Sequence, residues 1–345
     1  MAKKLNKRKK KKGKVILAVL AVILLLLLFV VAFVLSKLGK MDNISIDLKD
    51  LKINDLDEST EKAMKGYTTI ALFGLDNREN GNFEGGNSDT IIVASINNDT
   101  GEIKMASVYR DTYMDVGDNM FRKANAGYAN GGPKNAMNML NKNLDLKITD
   151  YVAVDFNALV EVIDQLGGIE IEVTAEEAGL MTGYMDEIAG MTGKTATPVS
   201  AGLQTLDGVQ ATAYARIRYT VGWDYKRTER QRLVITKIFE KAKSANIGTL
   251  NSILDTVLPD VSTSLSATEL LGLATKAGKY NMGDSVGFPF EKTSGSVGNL
   301  GDMVIAIDFE ANVIELHKFL YDNESYTPSS ALKELSATIK NNTGY

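Results

Sequence analysis

The sequence predicts an α/β fold: a three-layer α-β-α domain with a mixed central sheet, preceded by one N-terminal transmembrane helix. Three observations predict it. An uncharged apolar run extends from Val15 to Leu35, and beyond residue 66 short segments rich in Ile, Val, Thr and Ala alternate with helical patterns. Apolar residues make up 44% of the 345 residues, which is enough for a large core. Strands that alternate with helices form a sheet with helices packed on both faces.

The N-terminus predicts a membrane anchor. Residues 1–14 carry nine Lys or Arg and no acid, so they form a basic cytoplasmic stub, and the apolar run predicts a transmembrane helix over 15–36. At about 1.5 Å per residue this helix spans a hydrocarbon core about 30 Å thick. The alternative is a cleaved signal peptide, but its apolar region is only about 7 to 15 residues long. The positive stub keeps the N-terminus cytoplasmic, so we expect a single-pass protein of the cell membrane with an extracellular domain.

Charge and composition exclude several classes of function. Nine of the 39 basic residues lie in the stub, so 30 remain against 43 acidic residues and the exported part has a net charge near −13. We therefore expect no nucleic acid as a partner, because nonspecific binding needs a broad positive surface. The chain has no cysteine, and His317 is its only histidine, which excludes thiolate catalysis, serine–histidine triads and histidine-rich zinc sites. The groups that remain as candidates for catalysis are carboxylates, arginines, hydroxyls and an oxygen-bound metal.

The first elements follow from local patterns. Residues 37–66 are polar and charged, and they predict a juxtamembrane stalk or a short helix. One domain is then predicted over 67–345, with its motifs in 67–245. Runs of β-branched residues bounded by Gly, Asn and Asp predict strands at 67–73, 89–97 and 102–109, the last two joined as a hairpin through "NNDTG".

The later elements are mostly helices. A helix is predicted to open near Pro133, and "YVAVDFNALVEVIDQLGGIEIEV" predicts strand, helix, Gly-Gly turn and strand. Asp207 is predicted to begin a short helix, and Asp224 is predicted to be the N-cap of a longer one that ends near Ala245. Beyond residue 250, two helical stretches precede a late strand and a closing helix in "DMVIAIDFEANVIELHKFLY".

Carboxylates collect in a glycine-rich loop, "GLDNRENGNFEGGNSDT", which contains Asp76, Arg78 and Asp89. Polar side chains at strand ends commonly form the sites of open sheets. Two carboxylates brought together there repel each other unless a cation lies between them, and oxygen ligands suit Mg²⁺ or Mn²⁺. The alternative is a solvated turn.

A second polar pair, Arg110 and Asp111, follows the strand predicted at 102–109. It is either a surface ion pair or part of the same site. If the strands at 67–73 and 102–109 end at one sheet edge, Arg110 and Asp76 face one cleft.

Five arginines lie close together in "ARIRYTVGWDYKRTERQR", at positions 216, 218, 227, 230 and 232. In an extended stretch Arg216 and Arg218 point to the same side. On the helix, Arg227, Arg230 and Gln231 share a face that continues into an apolar stripe, which predicts that these arginines face the protein. Guanidinium groups at a helix N-terminus favour phosphate or pyrophosphate binding. The alternative is a solvated charged helix.

The chain closely resembles the LytR-CpsA-Psr family. The blocks that carry the resemblance, in order, are "ALFGLDNR", "SDTIIVASIN", "SVYRDTYM", "KANAGYANGG", "YVAVDFNALVEVIDQLGGIEIEV", "LDGVQATAYARIR" and "DYKRTERQ". Two departures concern substrate preference: Asn87 stands where many members have a basic residue, and Tyr109 stands where proline often precedes Arg-Asp.

This resemblance implies a membrane-anchored phosphotransferase. It implies transfer of a glycopolymer, such as teichoic acid or capsular polysaccharide, from a polyprenyl pyrophosphate to a hydroxyl of peptidoglycan, with release of polyprenyl phosphate. It also implies an apolar tunnel for the lipid. The residues that it implies for pyrophosphate binding are Arg110, Arg216, Arg218, Arg227 and Gln231; Asp111 and Arg230 belong to the same catalytic motifs; Asp76 and Asp89 are implied as the carboxylates associated with Mg²⁺.

The chemistry agrees with this implication, because phosphoryl transfer needs positioning and charge neutralisation more than a protein nucleophile. Asp76, Asp111 and Asp224 are the candidates for accepting the hydroxyl proton. Two alternatives remain: a hydrolase that cleaves the lipid pyrophosphate at the same site, and a noncatalytic polyprenyl-phosphate-binding scaffold or regulator of the wall.

Overall fold

A computed structural model describes residues 42–44, 46–75, 83–220 and 222–345. Its strands are β1 (Asp42–Asn43), β2 (Tyr67–Leu75), β3 (Ser88–Asn97), β4 (Glu102–Val108), β5 (Tyr113–Asp115), β6 (Phe121–Lys123), β7 (Asp150–Val154), β8 (Ile169–Val173), β9 (Gly202–Leu206), β10 (Val261–Thr263), β11 (Asn281–Phe288), β12 (Lys292–Ser296) and β13 (Asp302–Ala306). Its α-helices are α1 (Glu58–Lys65), α2 (Ala126–Ala129), α3 (Gly132–Leu144), α4 (Phe156–Gln165), α5 (Ala175–Thr192), α6 (Gly208–Arg216), α7 (Trp223–Ser244), α8 (Ile247–Val257), α9 (Ala267–Lys276), α10 (Phe309–Tyr321) and α11 (Ser330–Thr343).

A seven-stranded sheet organises the domain, in the order β1-β10-β7-β2-β3-β4-β11. The strands β2, β3 and β4 are antiparallel neighbours, whereas β7 is parallel to β2 and β11 is parallel to β4. This confirms the predicted α/β domain with a mixed sheet. Because β3 runs against both neighbours, β2 and β4 end at the same edge, where β7 also ends and β3 begins. Polar residues that follow these strands therefore meet at one edge.

Helices cover both faces of this sheet. On one face, Phe73 and Val108 belong to the largest core cluster, together with Leu140 of α3 and Leu316 of α10. On the other face, Ile92 packs with residues of β4 and α7, and a separate cluster packs α9 against β2 and β3. The alternation of strand and helix in the sequence predicts this layering, because each face of the sheet must be buried.

The segment before β2 was predicted as a stalk or a short helix, and the structure has the short helix α1 there, packed against the domain. Leu51 and Met64 are buried in the largest core cluster, and β1 pairs in parallel with β10 at the edge of the sheet. Residues 46–66 therefore pack against the domain, and α1 is capped by the Asp57 side chain. The predicted transmembrane helix at 15–36 lies outside the described residues, and no helix within them is long and apolar enough to cross a bilayer.

Local signals predict most of the elements that carry the site. The three predicted strands are β2, β3 and β4, and β3 and β4 form the expected hairpin. Pro133 lies in the first turn of α3, and Asp207 caps α6 through a capping box with Gln210. The segment 150–173 folds as predicted into β7, α4 and β8.

Two local predictions at the arginine-rich segment are wrong. The N-cap of α7 is Gly222, with φ of 95°, and Asp224 lies inside the first turn. Glycine adopts this left-handed conformation without the steric penalty of a side chain, which leaves the Asp224 carboxylate available to the arginines. Arg216 is the last residue of α6 and not part of an extended stretch, so strand alternation does not explain its direction.

The C-terminal part adds a hairpin and two helices. The predicted late strand is β13, but it pairs with β12 and not with the central sheet. The predicted closing helix is α10, and α11 follows it and packs on α3. The local sequence pattern predicts that β13 is a strand, whereas long-range packing determines which strand pairs with it.

Candidate functional site

A cavity of about 690 Å³ opens at the edge of the sheet where β2, β4 and β7 end. It lies between the sheet and helices α4, α5, α6 and α7. Its apolar walls include Leu72, Ile92, Val152, Val154, Phe156, Leu159, Leu180, Val234 and Ile235. Its polar lining includes Asp89, Arg110, Glu187, Arg216, Arg218, Arg227 and Gln231. One cavity therefore combines an apolar space with a polar end that contains four of the predicted arginines.

Three arginines converge on one carboxylate at this polar end. Arg227 Nη2 lies 2.8 Å from Asp224 Oδ1, one turn away on α7. Arg110 Nε and Arg218 Nε lie 3.7 and 3.8 Å from the same oxygen. We call Arg110, Arg218 and Arg227 the arginine cradle. Its members come from the turn after β4, from the segment after α6 and from α7, so the fold joins motifs far apart in sequence.

Asp89 is the second acid of the cradle. At the start of β3, its Oδ2 lies 2.6 Å from Arg110 Nη1 and 3.9 Å from Arg227 Nη1. The predicted condition for Arg110 to reach this cleft is met, because β2 and β4 end at the same sheet edge. The sequence predicted Asp89 at the junction of the glycine-rich loop and the strand 89–97, and the structure places it as the second residue of β3.

Burial changes the acid–base properties of the cradle. Burial raises the pKa of Asp224, although the nearby Arg227 and Arg110 oppose this shift. Burial lowers the pKa of Arg227, which Asp224 opposes. For Arg110, burial lowers the pKa, but Asp89 and the other carboxylates outweigh it and the net shift is upward. Charges in such a water-poor site interact strongly with an anion.

Several buried polar atoms of this site have no hydrogen-bond partner among the described residues. They are Arg110 Nε, Arg216 Nη1, Asp224 Oδ2, Arg227 Nε and Gln231 Oε1; Asp224 Oδ1 has its ion pairs with the arginines but no hydrogen bond of good geometry. Buried polar groups are usually satisfied, so a cluster of such atoms indicates a place built for a polar ligand. The guanidinium donors match the oxygens of a phosphate.

Arg216 lines the same cavity but has a different neighbour. Its Nη2 lies 3.2 Å from Glu187 of α5, and its guanidinium carbon lies 4.6 Å from the centre of the Phe156 ring. Glu187 is a site residue that the sequence analysis missed, since no pattern in the sequence marks it. Gln231 points into the cavity from α7, one helical turn after Arg227.

The structure places Arg230 away from the cradle. Its side chain is buried, with Nε 2.8 Å from Glu177 Oε1 and Nη2 2.9 Å from Thr220 Oγ1. It also donates to the Ile217 carbonyl. The predicted burial of this helix face is confirmed, but Arg230 ties α7 to α5 and to the segment after α6, and it does not line the cavity.

Asp111 lies at the rim of the site. Its carboxylate is 3.8 Å from Arg110 Nε and 3.0 Å from Lys123 Nζ. Its carbonyl oxygen accepts a hydrogen bond from the Val304 amide of β13. The C-terminal hairpin therefore reaches the site, whereas the sequence analysis read no motif beyond residue 250. Lys123 was present in the quoted block "KANAGYANGG" but was not singled out.

The predicted metal ligands are only partly described. Asp76 lies outside the described residues. Within the described ranges, no group of three or more His, Cys, Asp and Glu is arranged to hold a metal ion. Asp89 offers the oxygen donors that Mg²⁺ prefers, and both of the arginine contacts given above use its Oδ2.

Comparisons with known proteins identify relatives that are named as teichoic acid transferases. Polyisoprenyl-teichoic acid–peptidoglycan teichoic acid transferase TagU of Enterococcus faecalis is 34% identical over 209 residues, which are 60% of this chain and 64% of the relative. The transferase of the same name, TagV, of Bacillus subtilis is 30% identical over 193 residues, 54% of this chain and 47% of the relative. The matches thus span about half to just under two thirds of these curated relatives.

A solved structure described as LytR-CPS2A-psr family protein YwtF (TagT) with bound octaprenyl pyrophosphate lipid shares the fold. Its TM-score is 0.55 at 18% identity, and the match covers 88% of this chain and 100% of that chain. The sequence model of the LytR_cpsA_psr family also matches this chain over residues 31–296, which is most of its length. This chain therefore belongs to the LytR_cpsA_psr family.

Proposed function

We propose that this protein is a phosphotransferase that moves a glycopolymer from a polyprenyl diphosphate carrier to a hydroxyl of peptidoglycan. The observation that carries the proposal is the arginine cradle at the polar end of an apolar cavity. The cavity accepts the lipid, and the cradle binds the diphosphate. The curated relatives TagU and TagV are named as teichoic acid transferases, which supports a wall polymer such as teichoic acid or another wall or capsular polysaccharide as the substrate.

The transfer requires one bond to form and one to break. An oxygen of the acceptor hydroxyl attacks the phosphorus that carries the sugar, and the bond from that phosphorus to the bridging oxygen breaks. The sugar phosphate becomes attached to peptidoglycan, and polyprenyl phosphate leaves with the bridging oxygen. The hydroxyl proton passes to a carboxylate; Asp224, whose pKa burial raises, is our candidate among the described residues.

The residues have separate tasks in this proposal. Arg110, Arg218 and Arg227 hold the nonbridging oxygens and neutralise the charge that the transition state spreads over them. Arg216 and Gln231 bind the diphosphate from the cavity side, and the ligand phosphate competes with Glu187 for Arg216. Asp111 orients Arg110 and Lys123. Arg230 maintains the position of α7 through Glu177.

We also propose that Asp89, with Asp76 from the loop outside the described residues, holds Mg²⁺ or Mn²⁺. The support is chemical, because carboxylate oxygens beside a diphosphate site are suitable donors for a hard cation. A bound cation neutralises charge on the diphosphate. The native chain and Asp89→Asn are each titrated with Mn²⁺ while the electron paramagnetic resonance signal of free Mn²⁺ is recorded. This compares metal binding in the two chains without an activity assay.

The anchor completes the proposal. The basic stub at 1–14 and the apolar run at 15–36 are proposed as a cytoplasmic segment and a single transmembrane helix, which places the domain outside the cell membrane. The lipid carrier and peptidoglycan are both reached from there. Cysteine labelling of residue 5 and of residue 345 in intact cells, with an impermeant reagent, tests this topology: only the second is expected to react.

The experiment that tests the activity uses lipid-linked glycopolymer labelled in its first sugar, incubated with peptidoglycan and the full chain in detergent. We expect label on the glycan and release of polyprenyl phosphate. Label found only in free saccharide phosphate would instead support the hydrolase, which uses water at the same site. Binding of the lipid without any turnover would support the scaffold or regulator.

A further inference from the structure

A lysine of the C-terminal hairpin lies over two aromatic rings beside the arginine cradle. Lys292, the first residue of β12, has its Nζ 5.3 Å from the ring centre of Tyr109 and 4.9 Å from that of Tyr225. The two rings meet edge to face, with centres 4.6 Å apart. A cation is attracted to the faces of such rings, so the ammonium group is held in one place.

One tyrosine is a chain neighbour of a cradle arginine, and the other is a chain neighbour of the carboxylate that the cradle contacts. Tyr109 precedes Arg110, and Tyr225 follows Asp224. None of Lys292, Tyr109 and Tyr225 lines the apolar cavity, although Arg110 does. The lysine therefore lies outside the space proposed for the lipid, against two rings whose chain neighbours belong to the polar end. In a lipid-linked saccharide diphosphate, the group beyond the diphosphate and outside the lipid space is the saccharide.

The surrounding structure fixes this arrangement. Gly287 of β11 leaves room for Tyr109, because a Cβ at that position would lie 2.0 Å from the tyrosine Oη. Tyr225 Oη lies 3.3 Å from Ser294 Oγ, two residues along β12 from the lysine. Strand, hairpin and the first turn of α7 thus position one ammonium group together.

The charge of Lys292 has no carboxylate partner in the described part of the chain. No carboxylate oxygen of those residues is within 4.0 Å of its Nζ, which donates instead to the Phe290 carbonyl at 3.0 Å. Partial burial lowers the pKa of Lys292, and Glu291 opposes this shift. A partly desolvated cation without a counterion is costly, and a bound anion would offset that cost.

We propose that Lys292 binds a second anionic group of the substrate, a phosphate carried by the saccharide beyond the diphosphate. This inference rests on the proposed function, since it extends the ligand outward from the same cradle. It makes the protein selective for a phosphate-bearing glycopolymer over a neutral one. A purely structural lysine would instead support both kinds of ligand equally, by holding the first turn of α7.

The test measures the affinity of the full chain in detergent for three probes. They are a short prenyl diphosphate, the same diphosphate with a neutral sugar, and the same sugar with a terminal phosphate. For Lys292→Met, we expect roughly twofold to fivefold weaker binding of the third probe alone, which is the range of one partly exposed charge pair. Lys292→Arg should restore most of that loss, because the positive charge is present again.

The controls separate the possible failures. Lys237→Met removes an exposed lysine of α7 that pairs with Glu240, and it should bind all three probes as the native chain does. A parallel loss for all three probes in Lys292→Met, or no loss for any, would overturn the assignment. Lys292→Gln repeats the test if the methionine variant unfolds at a lower temperature. If the native chain fails to bind even the prenyl diphosphate, the proposed function fails and not only this inference.

Discussion

Arg218 and Arg230 belong to one arginine-rich segment but have opposite surroundings. The Arg218 side chain is 39% exposed, and its nearest carboxylate oxygen, on Asp224, is 3.8 Å away. Arg230 is 3% exposed and forms a 2.8 Å contact with the buried Glu177. In the sequence, a ligand-binding arginine and a structural arginine cannot be told apart by residue type or spacing. The two are distinguished only by whether a residue distant in sequence forms a buried ion pair with the arginine.

Substitution of these two arginines should therefore separate activity from stability. Arg218→Ala should lower turnover roughly a hundredfold, because it removes one donor to the transition-state charge, and should leave the unfolding free energy nearly unchanged. Arg230→Met should destabilise the fold by about 3 to 5 kcal/mol, because it leaves the Glu177 carboxylate buried without its partner. Turnover and urea unfolding of both variants check this. A stable Arg230→Met chain with no turnover would instead make Arg230 a site residue.

Arg227 shows why a simple truncation is a poor test at this site. It is 3% exposed and lies 2.8 Å from Asp224, so an alanine there would strand a buried carboxylate. The sequence predicted that its helix face turns inward, which is confirmed. It did not reveal the tight pairing, because Asp224 was expected to cap the helix backbone.

At the scale of elements, α6 approaches α4 so closely that a side chain is excluded. A Cβ on Gly208 would lie 2.3 Å from the Val160 carbonyl oxygen, and the Gly208 amide donates to Asp164. Since backbone cannot move aside as a side-chain end does, Gly208→Ala should cost about 1 to 3 kcal/mol of unfolding free energy.

The matched control is Gly190→Ala, within α5, where an added Cβ meets nothing within 4 Å. This change should stabilise the chain by about 0.5 to 1 kcal/mol, because alanine favours the helix over glycine. Urea unfolding of the two variants measures the sign of each change in the free energy of unfolding. Equal effects would mean that α4 and α6 are not in close contact.

Elements with strong local signals were predictable, and elements defined by distant partners were not. The Asp207 capping box and Pro133 mark the starts of α6 and α3 within the local sequence. By contrast, the start of α7 is ambiguous in the sequence, because both Gly222 and Asp224 are suitable N-caps. The Asp224 carboxylate forms ion pairs with Arg110 and Arg227, and these partners are set by tertiary packing. The pairing of β13 with β12, and the reach of this hairpin to Asp111, likewise depend on tertiary packing.

At the scale of the whole molecule, the only histidine links stability to pH. His317 of α10 is fully buried, its Nε2 contacts the Leu144 carbonyl at 2.9 Å, and its ring stacks on Tyr326. Burial lowers the pKa of His317 to about 4, from 6.5. The folded state thus favours the neutral ring, and this contribution is complete above pH 6.5 and is lost as the pH falls to 4.

The expected loss from this one group over that interval is about 3 kcal/mol. Urea unfolding of the native chain and of His317→Gln between pH 7 and pH 4 measures it. The free energy of unfolding of the native chain should fall more steeply on acidification, because the variant lacks the titrating ring. Parallel curves would show that the ring is not shielded from water.

The whole molecule places an apolar cavity directly behind the arginine cradle, and our account depends on one ligand filling both. The most direct measurement is the electron density of the full chain crystallised with polyprenyl diphosphate. We predict that the diphosphate contacts Arg110, Arg218 and Arg227, and that the hydrocarbon continues from it into the cavity of about 690 Å³. A diphosphate bound elsewhere on the chain, with no lipid between the sheet and α4 to α7, would contradict the account.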